Sequence, residues 1–325
     1  MVDIPILRLP VPPNPAPQPF QPELISALFS QVAIDMEDAR GHLRMAELGP
    51  SDRLIIDVAA LWFDIDADGK RGAGEGILEV AGVVVRTDMR QAAPPPPVDG
   101  LIVHFDAADV EWLVAYTHLL SAVSEFVLAF DPSEVIAEIM ESNAVFDEVA
   151  ESFFVNEYDW LREEAGFIDT FAVVYGALNR VPDKERIAAA RDHLLAMIER
   201  NREFWKLIAL ETDNSQEWIP NAKQQAALGF SLPPNTGSIW MGVLADAEAV
   251  LQGKLLVSHW RSNPGGGVNV AKLVADPPAF DIVTWFQGSG LAPYIEKGPL
   301  VSWESYARFE AMFRGDAMLF VVLLN

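Results

Sequence analysis

The chain lacks cysteine, has few basic residues and contains no long uninterrupted hydrophobic run. The absence of cysteine excludes disulfides, thiolate metal ligands and a cysteine nucleophile. Lys and Arg number 23 against 47 Asp and Glu, which gives a formal net charge of −24. Because that field repels phosphate backbones, we expect no nucleic-acid binding. No apolar run approaches the roughly 20 residues of a membrane-spanning helix, so we predict that the chain is not transmembrane.

Proline is abundant at the start of the chain, where residues 5–22 (PILRLPVPPNPAPQPFQP) hold eight prolines. We interpret residues 1–22 as an extended N-terminal tether and residues 23–325 as a single large helical domain, with a possible subdivision near 91–100. Such a tether is typical of an exported protein of the periplasm or cell envelope whose signal peptide has been removed. A disordered terminus of a cytoplasmic protein is the alternative.

The spacing of apolar residues predicts a mainly α fold, a multi-helix bundle with one short β-hairpin at about 255–274. The hairpin would pair 255–260 with 268–274 across the turn at 263–267 (NPGGG). No alternation of strands and helices indicates a doubly wound sheet. The predicted helices lie at about 22–49, 51–62, 106–130, 133–150, 151–164, 167–179, 185–210 and 236–252.

Residues 62–78 (WFDIDADGKRGAGEGIL) contain four carboxylates at a diagnostic spacing. A calcium loop of twelve residues needs oxygen ligands at positions 1, 3, 5, 7, 9 and 12, and glycine at position 6, where the chain turns sharply. Five diagnostic positions match, which average residue frequencies would produce in roughly one chain in a thousand. The residues in question are Asp64, Asp66, Asp68, Gly69 and Glu75, with the Lys70 carbonyl at position 7 and a water expected beside Gly72 at position 9.

The segment 64–75 therefore resembles an EF-hand calcium-binding loop, and the rest of the chain resembles uncharacterised bacterial helical proteins. The resemblance implies a Ca²⁺ site formed by Asp64, Asp66, Asp68, Lys70 and Glu75. Position 8 is Arg71 where EF-hands that work in pairs usually carry an apolar residue, and the sequence shows no second loop. These departures favour one structural calcium ion over a regulatory sensor. A solvated turn rich in aspartate and glycine is the alternative.

A second candidate site is a polar stripe on the helix predicted for 106–130. Glu111, His118 and Glu125 recur every seven residues, which places them along one helix face. They could form the catalytic centre of a metal-dependent hydrolase if another helix supplied further ligands. They could equally form a polar seam that is hydrogen-bonded to a neighbouring helix. The sequence contains neither a Glu-x-x-His nor a His-Glu-x-x-His pattern around His118.

These features predict an exported, monomeric or weakly associating helical protein with one structural calcium ion and a binding or envelope role. Its partner would be a protein or a small-molecule ligand, and we expect aromatic side chains to line the binding cleft. The metal-dependent hydrolase is the alternative.

Overall fold

A computed structural model of the chain describes residues 19–46, 48–49, 52–65, 68–77, 79, 100–150, 165–313, 321 and 324. Within these ranges the fold is mainly α, as predicted, with two small antiparallel sheets. Helices α1 to α9 span Leu24–Arg44, Ala107–Phe130, Ser133–Ala150, Ala165–Leu178, Lys184–Ile208, Thr236–Leu251, Val270–Ala275, Ile282–Gln287 and Glu304–Phe313. Strands β1 to β5 span Leu54–Asp57, Ile102–Phe105, Val257–Ser258, Gly266–Val268 and Ile295–Lys297.

Several of these helices begin at a side-chain cap that the sequence supplies. Asp106 accepts a hydrogen bond from the backbone N–H of Ala108 at the start of α2, and Asp183 accepts from Glu185 and Arg186 at the start of α5. Asn269 caps α7 and Asp281 caps α8 in the same way. Each cap satisfies an N–H group that the helix itself leaves without a partner.

Helix α2 is the centre of the bundle, because α1 packs on one side of it and α5 on another. The main core lies where α2, α5, α6 and α9 meet. Its largest buried side chains are aromatic, and the indole N–H of Trp240 is bonded to the Asn201 side chain at 2.8 Å. The buried aromatic members are Trp112, Phe204, Trp205, Trp240, Phe309 and Phe313.

The two sheets differ in part from the predicted elements. The segment expected to form a second helix, 51–62, instead contributes β1, which pairs with β2 in the register Leu54↔Phe105. That helix prediction was wrong because the local run LIID also suits a strand once a distant partner is present. A hairpin forms in the predicted region, with Val257 opposite Val268, but its second strand, Gly266–Val268, begins inside the predicted turn; β5 adds a third strand. Its second strand ends early, since Asn269 caps helix α7 at 270–275.

Three predicted segments cannot be compared with the fold. Most of the N-terminal tether, the possible subdivision at 91–99 and the helix expected at 151–164 lie outside the described residues.

Of the helices in the described ranges, α2 alone is long and apolar enough to cross a bilayer. The sequence scan had found no such segment. Half of its most apolar stretch is buried inside the fold, and its neighbours α1 and α5 are amphipathic helices that carry charged residues. The contacts of α2 are those of a central core helix.

Candidate functional site

The aspartate loop lies in the connection between β1 and β2, and backbone pairing closes its base. The N–H of Phe63 donates to the Glu75 carbonyl at 2.8 Å, and the N–H of Ile77 donates to the Leu61 carbonyl at 3.0 Å. Trp62 and Gly76 form an antiparallel bridge between these two bonds. The twelve residues 64–75 are therefore held as a loop with fixed ends.

Inside the loop, two of the predicted ligand carboxylates turn back towards the backbone. Asp64 Oδ2 accepts a hydrogen bond from the N–H of Gly69 at 3.1 Å, and Asp68 Oδ1 accepts from the N–H of Lys70 at 2.7 Å. Gly69 has a φ of 75°, a conformation that glycine adopts without steric cost. The sharp turn that the sequence predicted at position 6 is therefore present.

Among the acidic residues of the loop that the structure describes, Glu75 is the most deeply buried, with 2% of its surface exposed. Its Oε1 accepts from the N–H of Ile65 at 2.9 Å, and its Oε2 accepts from the N–H of Gly72. The carboxylate thus reaches across the loop and joins its second residue to its ninth. Burial of a carboxylate is costly without hydrogen-bond partners, and these two N–H groups supply them.

The donor atoms of the loop suit a calcium ion, which prefers six to eight oxygen ligands from carboxylates, carbonyls and water. Asp66, the predicted ligand at position 3, lies outside the described residues. Among the residues that the structure does describe, no three His, Asp or Glu side chains are grouped closely enough to hold a metal ion. Asp64, Asp68 and Glu75 therefore do not form a finished coordination shell by themselves.

The predicted polar stripe on α2 lies against α5, and each of its members has a partner there. Glu111 pairs with Arg200 at 3.3 Å, and Glu125 pairs with Arg186 at 3.0 Å. Between them, the Nδ1 atoms of His118 and His193 are 2.9 Å apart. The three pairs form a polar seam between two antiparallel helices.

The partners on α5 repeat the spacing of the stripe, since Arg186, His193 and Arg200 are also seven residues apart. The sequence analysis did not find them, although two stripes with the same period and complementary charge are a readable signal for helix pairing. Residues seven apart on a helix are separated by about 10.5 Å along its axis. Glu111, His118 and Glu125 therefore do not converge on one point.

The histidine pair lies beside a buried cation. Arg40 is 2% exposed and donates to the Thr117 carbonyl at 3.1 Å and to Ser121 Oγ at 2.8 Å. Burial, together with the positive charge of Arg40, lowers the pKa of His118 to about 4. The same two causes lower the pKa of His193. Both rings are neutral at pH 7, so one can donate and the other accept the bond between them.

A group of acidic residues that the sequence analysis missed surrounds the start of α2. Burial raises the pKa of Asp109 to about 8, and the neighbouring charge of Asp106 acts in the same direction. Burial likewise raises the pKa of Glu211 to about 7 and raises that of Glu217. Arg53 lies 3.7 Å from Asp106 and 3.4 Å from Asp213, where it offsets part of the negative charge.

A cavity of about 380 Å³ opens between the end of α5 and the start of α6. Its walls are apolar and belong to Trp205, Ile208, Leu232, Pro233 and Met241. One aromatic side chain lines it, so the aromatic-lined cleft expected from the sequence is not found at this cavity. Its volume lies within the range of about 300–1,000 Å³ that small-molecule sites occupy.

Polar groups also line this cavity. The first turn of α6, Thr236 to Ser238, lines it, and Asn235 makes no side-chain cap for that helix. Uncapped N–H groups at a helix start attract anions. Lys206, Lys223 and Glu211 also line the cavity.

Comparison with known proteins returns no match, since no family model, curated protein or solved structure is significantly similar to this chain.

Proposed function

We propose that the chain is a helical binding protein whose loop at 64–75 takes one Ca²⁺ ion as a structural clamp. The observation that carries this proposal is the position of Glu75. Its buried carboxylate already spans the loop, where it accepts hydrogen bonds from the N–H groups of Ile65 and Gly72. A calcium loop needs its twelfth residue in this inward orientation.

The loop residues would hold the ion with oxygen atoms only. Asp64, Asp66, Asp68 and Glu75 would supply carboxylates, and Lys70 its carbonyl. Four carboxylates within twelve residues repel one another, and a divalent cation would offset that repulsion. Each carboxylate oxygen can accept more than one bond, so Glu75 can keep its backbone partners while it binds the ion. A weak site would be filled at the millimolar calcium of an exported setting, which we also propose for the chain.

Titration calorimetry on chelator-treated protein tests the calcium site directly. We expect one bound Ca²⁺ per chain, and we expect Asp64→Asn to weaken binding at least tenfold because a charged ligand is lost. Asp52→Asn is the matched control, since Asp52 lies outside the loop and caps the turn at Gly49. Absence of binding to the wild-type protein, or an equal affinity for the Asp64→Asn variant, would overturn the proposal.

The cavity between α5 and α6 supports a second candidate function, the binding of a small apolar carboxylate. The apolar walls would hold the hydrocarbon part, and the uncapped start of α6 with Lys223 would hold the carboxylate. Glu211 would oppose that anion when ionised. Because burial raises the pKa of Glu211 to about 7, we expect tighter binding at pH 6 than at pH 8.

Tryptophan fluorescence with octanoate as the probe tests this second function, since Trp205 lines the cavity. Octanoate should change the emission and should bind several-fold more tightly at pH 6 than at pH 8. Glu211→Gln should remove that pH dependence, whereas the exposed Glu199→Gln should keep it. Octanol at equal concentration controls for purely apolar binding. Equal responses to octanol and octanoate would contradict a carboxylate site.

The hydrolase alternative receives no geometric support from the described residues. Glu111, His118 and Glu125 each have a partner on α5, and they lie two helical turns apart. A cleft of about 560 Å³ does touch Glu111 and His118, but it is also lined by Arg44 and Arg200, whose charges oppose a metal cation. The polar seam accounts for all three residues.

A further inference from the structure

The cleft of about 560 Å³ beside the polar seam is lined by the end of α1, by α2 and by α5, and its lining includes charges of both signs. Its volume falls within the range of about 300–1,000 Å³ that small-molecule sites occupy. Because α1 and α5 both pack against α2, α2 forms the floor of the cleft and the other two helices form its walls. We call this space the three-helix cleft; its charged lining residues are Arg44, Glu111, Glu199 and Arg200.

The floor of the three-helix cleft is an apolar strip on one face of α2. Val110 and Val114 are one turn apart on that face, and Val114 is buried. Leu43 at the end of α1 and Ala196 on α5 extend the apolar surface to the two sides. His118 lies one turn beyond Val114 and ends the strip. A short hydrocarbon group placed on this floor would lose contact with water, which is favourable.

The side of the cleft next to α5 carries a net negative charge. Arg200 of α5 lies between two glutamates, 3.3 Å from Glu111 of α2 and 3.0 Å from Glu199 of α5. The three side chains together hold one more negative charge than positive charges. Glu111 is half-buried and Glu199 is exposed, and the oxygens of each carboxylate can accept further hydrogen bonds.

The α1 wall of the cleft supplies a positive charge. Arg44, in the last turn of α1, forms no ion pair with any residue in the described ranges of the chain. Burial lowers the pKa of His118, and the charges of Arg40, His193 and Arg44 lower it further, so the charge of Arg44 acts on the floor of the cleft. Arg44 and Glu199 line the same cleft without pairing directly, and a gap therefore separates the two charged walls.

The charges that line the cleft favour a ligand that is itself zwitterionic. A simple anion would be attracted by Arg44 and repelled by the two glutamates, and a simple cation would be attracted by the glutamates and repelled by Arg44. A molecule with both a carboxylate and an ammonium group would gain from both sides and would bridge the gap between them. The arginine fork can bind a carboxylate through two parallel N–H bonds, and an ammonium group offers three N–H donors to carboxylates.

We propose that the three-helix cleft binds a free α-amino acid with an aliphatic side chain. The carboxylate of the ligand would pair with Arg44, and its ammonium group would donate to Glu111 and Glu199. The aliphatic side chain would cover Val110 and Val114 on the floor. The three-helix cleft shares no lining residue with the calcium loop or with the cavity between α5 and α6, so this inference does not depend on either proposed function.

Titration calorimetry of the full-length chain with L-leucine tests the proposal. We expect saturable binding at one site, and we expect Arg44→Gln and Glu199→Gln each to weaken it by about tenfold, because each removes one charged hydrogen-bond partner of the ligand. Arg308→Gln and Glu203→Gln are the matched controls, since Arg308 is exposed on α9, Glu203 is exposed on α5 and neither lines the cleft. Both controls should bind leucine as the wild-type chain does.

Two analogues of leucine separate a zwitterion site from a site for a simple ion. We expect 4-methylpentanoate, which lacks the ammonium group, and 3-methylbutylamine, which lacks the carboxylate, to bind the cleft much more weakly than leucine. If 4-methylpentanoate binds as tightly as leucine and Arg44→Gln weakens it, the cleft is an anion site and the proposal is wrong. The same result for 3-methylbutylamine with Glu199→Gln would make it a cation site. No leucine binding, or a leucine affinity that either variant leaves unchanged, would also overturn the proposal.

Discussion

The stability of this chain depends on pH because single titratable side chains are buried, and the net charge alone does not predict that dependence. Asp109 is 5% exposed, and its Oδ2 accepts the N–H of Asp106 at 3.0 Å. The folded state therefore keeps a proton on Asp109 at a pH where the unfolded chain has lost it. That contribution to stability is fully present below about pH 4 and is lost as the pH rises through about 8.

The variant Asp109→Asn tests this contribution, because it replaces one carboxyl oxygen with an amide nitrogen and removes the titratable group. The amide oxygen can still accept the N–H of Asp106, and no charge has to be buried. We expect the variant to be more stable than the wild-type chain by about 2 kcal/mol at pH 8, with a much smaller difference at pH 5. Urea unfolding at the two pH values measures it. Asp192→Asn, at an exposed site, should show no such dependence on pH.

His118 acts in the opposite direction because its pKa is lowered. The unfolded chain takes up a proton at a pH where the folded ring stays neutral, so stability is lost as the pH falls from about 6.5 towards 4. Ionisation of Asp109 therefore lowers stability at high pH, and protonation of His118 lowers it at low pH.

At the scale of elements, the helices were readable from sequence because their signals are local. The caps Asp106 and Asp183, the apolar period and the break at Asp131-Pro132 all lie within or next to the helices that they define. The turn at Gly69 was readable for the same reason. The polar stripe on α2 was identified as a helix face. Its partners on α5 are 61 to 89 residues away, and only their matching seven-residue spacing could have connected the two stripes.

The missed elements depend on contacts between distant parts of the chain. Strand β1 exists because β2 pairs with it across about 45 intervening residues, and the run LIID alone does not distinguish a strand from a helix. The cavity was also unreadable, because it is assembled from the end of α5, the start of α6 and the segment between them. Sequence periodicity carries no information about where such segments meet.

The three-stranded sheet has two close backbone approaches in β4, at Gly266 towards β5 and at Gly267 towards β3. A Cβ atom at Gly266 would lie 1.9 Å from the carbonyl oxygen of Glu296 in β5. Backbone cannot move aside as a side chain can, so we expect Gly266→Ala to destabilise the fold by about 2–4 kcal/mol. Its neighbour Gly265 is the matched control, because a Cβ there would meet only the Ser262 carbonyl at 3.7 Å.

Chemical unfolding of both variants measures this difference. Gly265→Ala should stay within about 0.5 kcal/mol of the wild-type chain, as surface substitutions usually do. Equal effects of the two substitutions would mean that β4 and β5 are not packed as described.

At the scale of the whole molecule, the net charge of −24 opposes compaction and makes bound cations stabilising. A calcium ion at 64–75 would act within the connection between β1 and β2, the two strands of the first sheet. Calcium at 100 times its dissociation constant would add about 2.7 kcal/mol to the free energy of unfolding. For a chain of this size that corresponds to a rise of roughly 3–6 °C in melting temperature.

The central measurement is thermal unfolding with excess Ca²⁺ and with chelator, on the wild-type chain and on Glu75→Gln and Glu79→Gln. Glu79 accepts hydrogen bonds from the N–H groups of Gly74 and Gly76 at the end of the loop. It is not a predicted ligand, so its variant controls for the loss of backbone hydrogen bonds. We predict that calcium raises the melting temperature of the wild-type chain and of Glu79→Gln, and leaves that of Glu75→Gln unchanged. Identical melting curves with calcium and with chelator in all three proteins would contradict the calcium clamp and leave residues 64–75 as a polar turn.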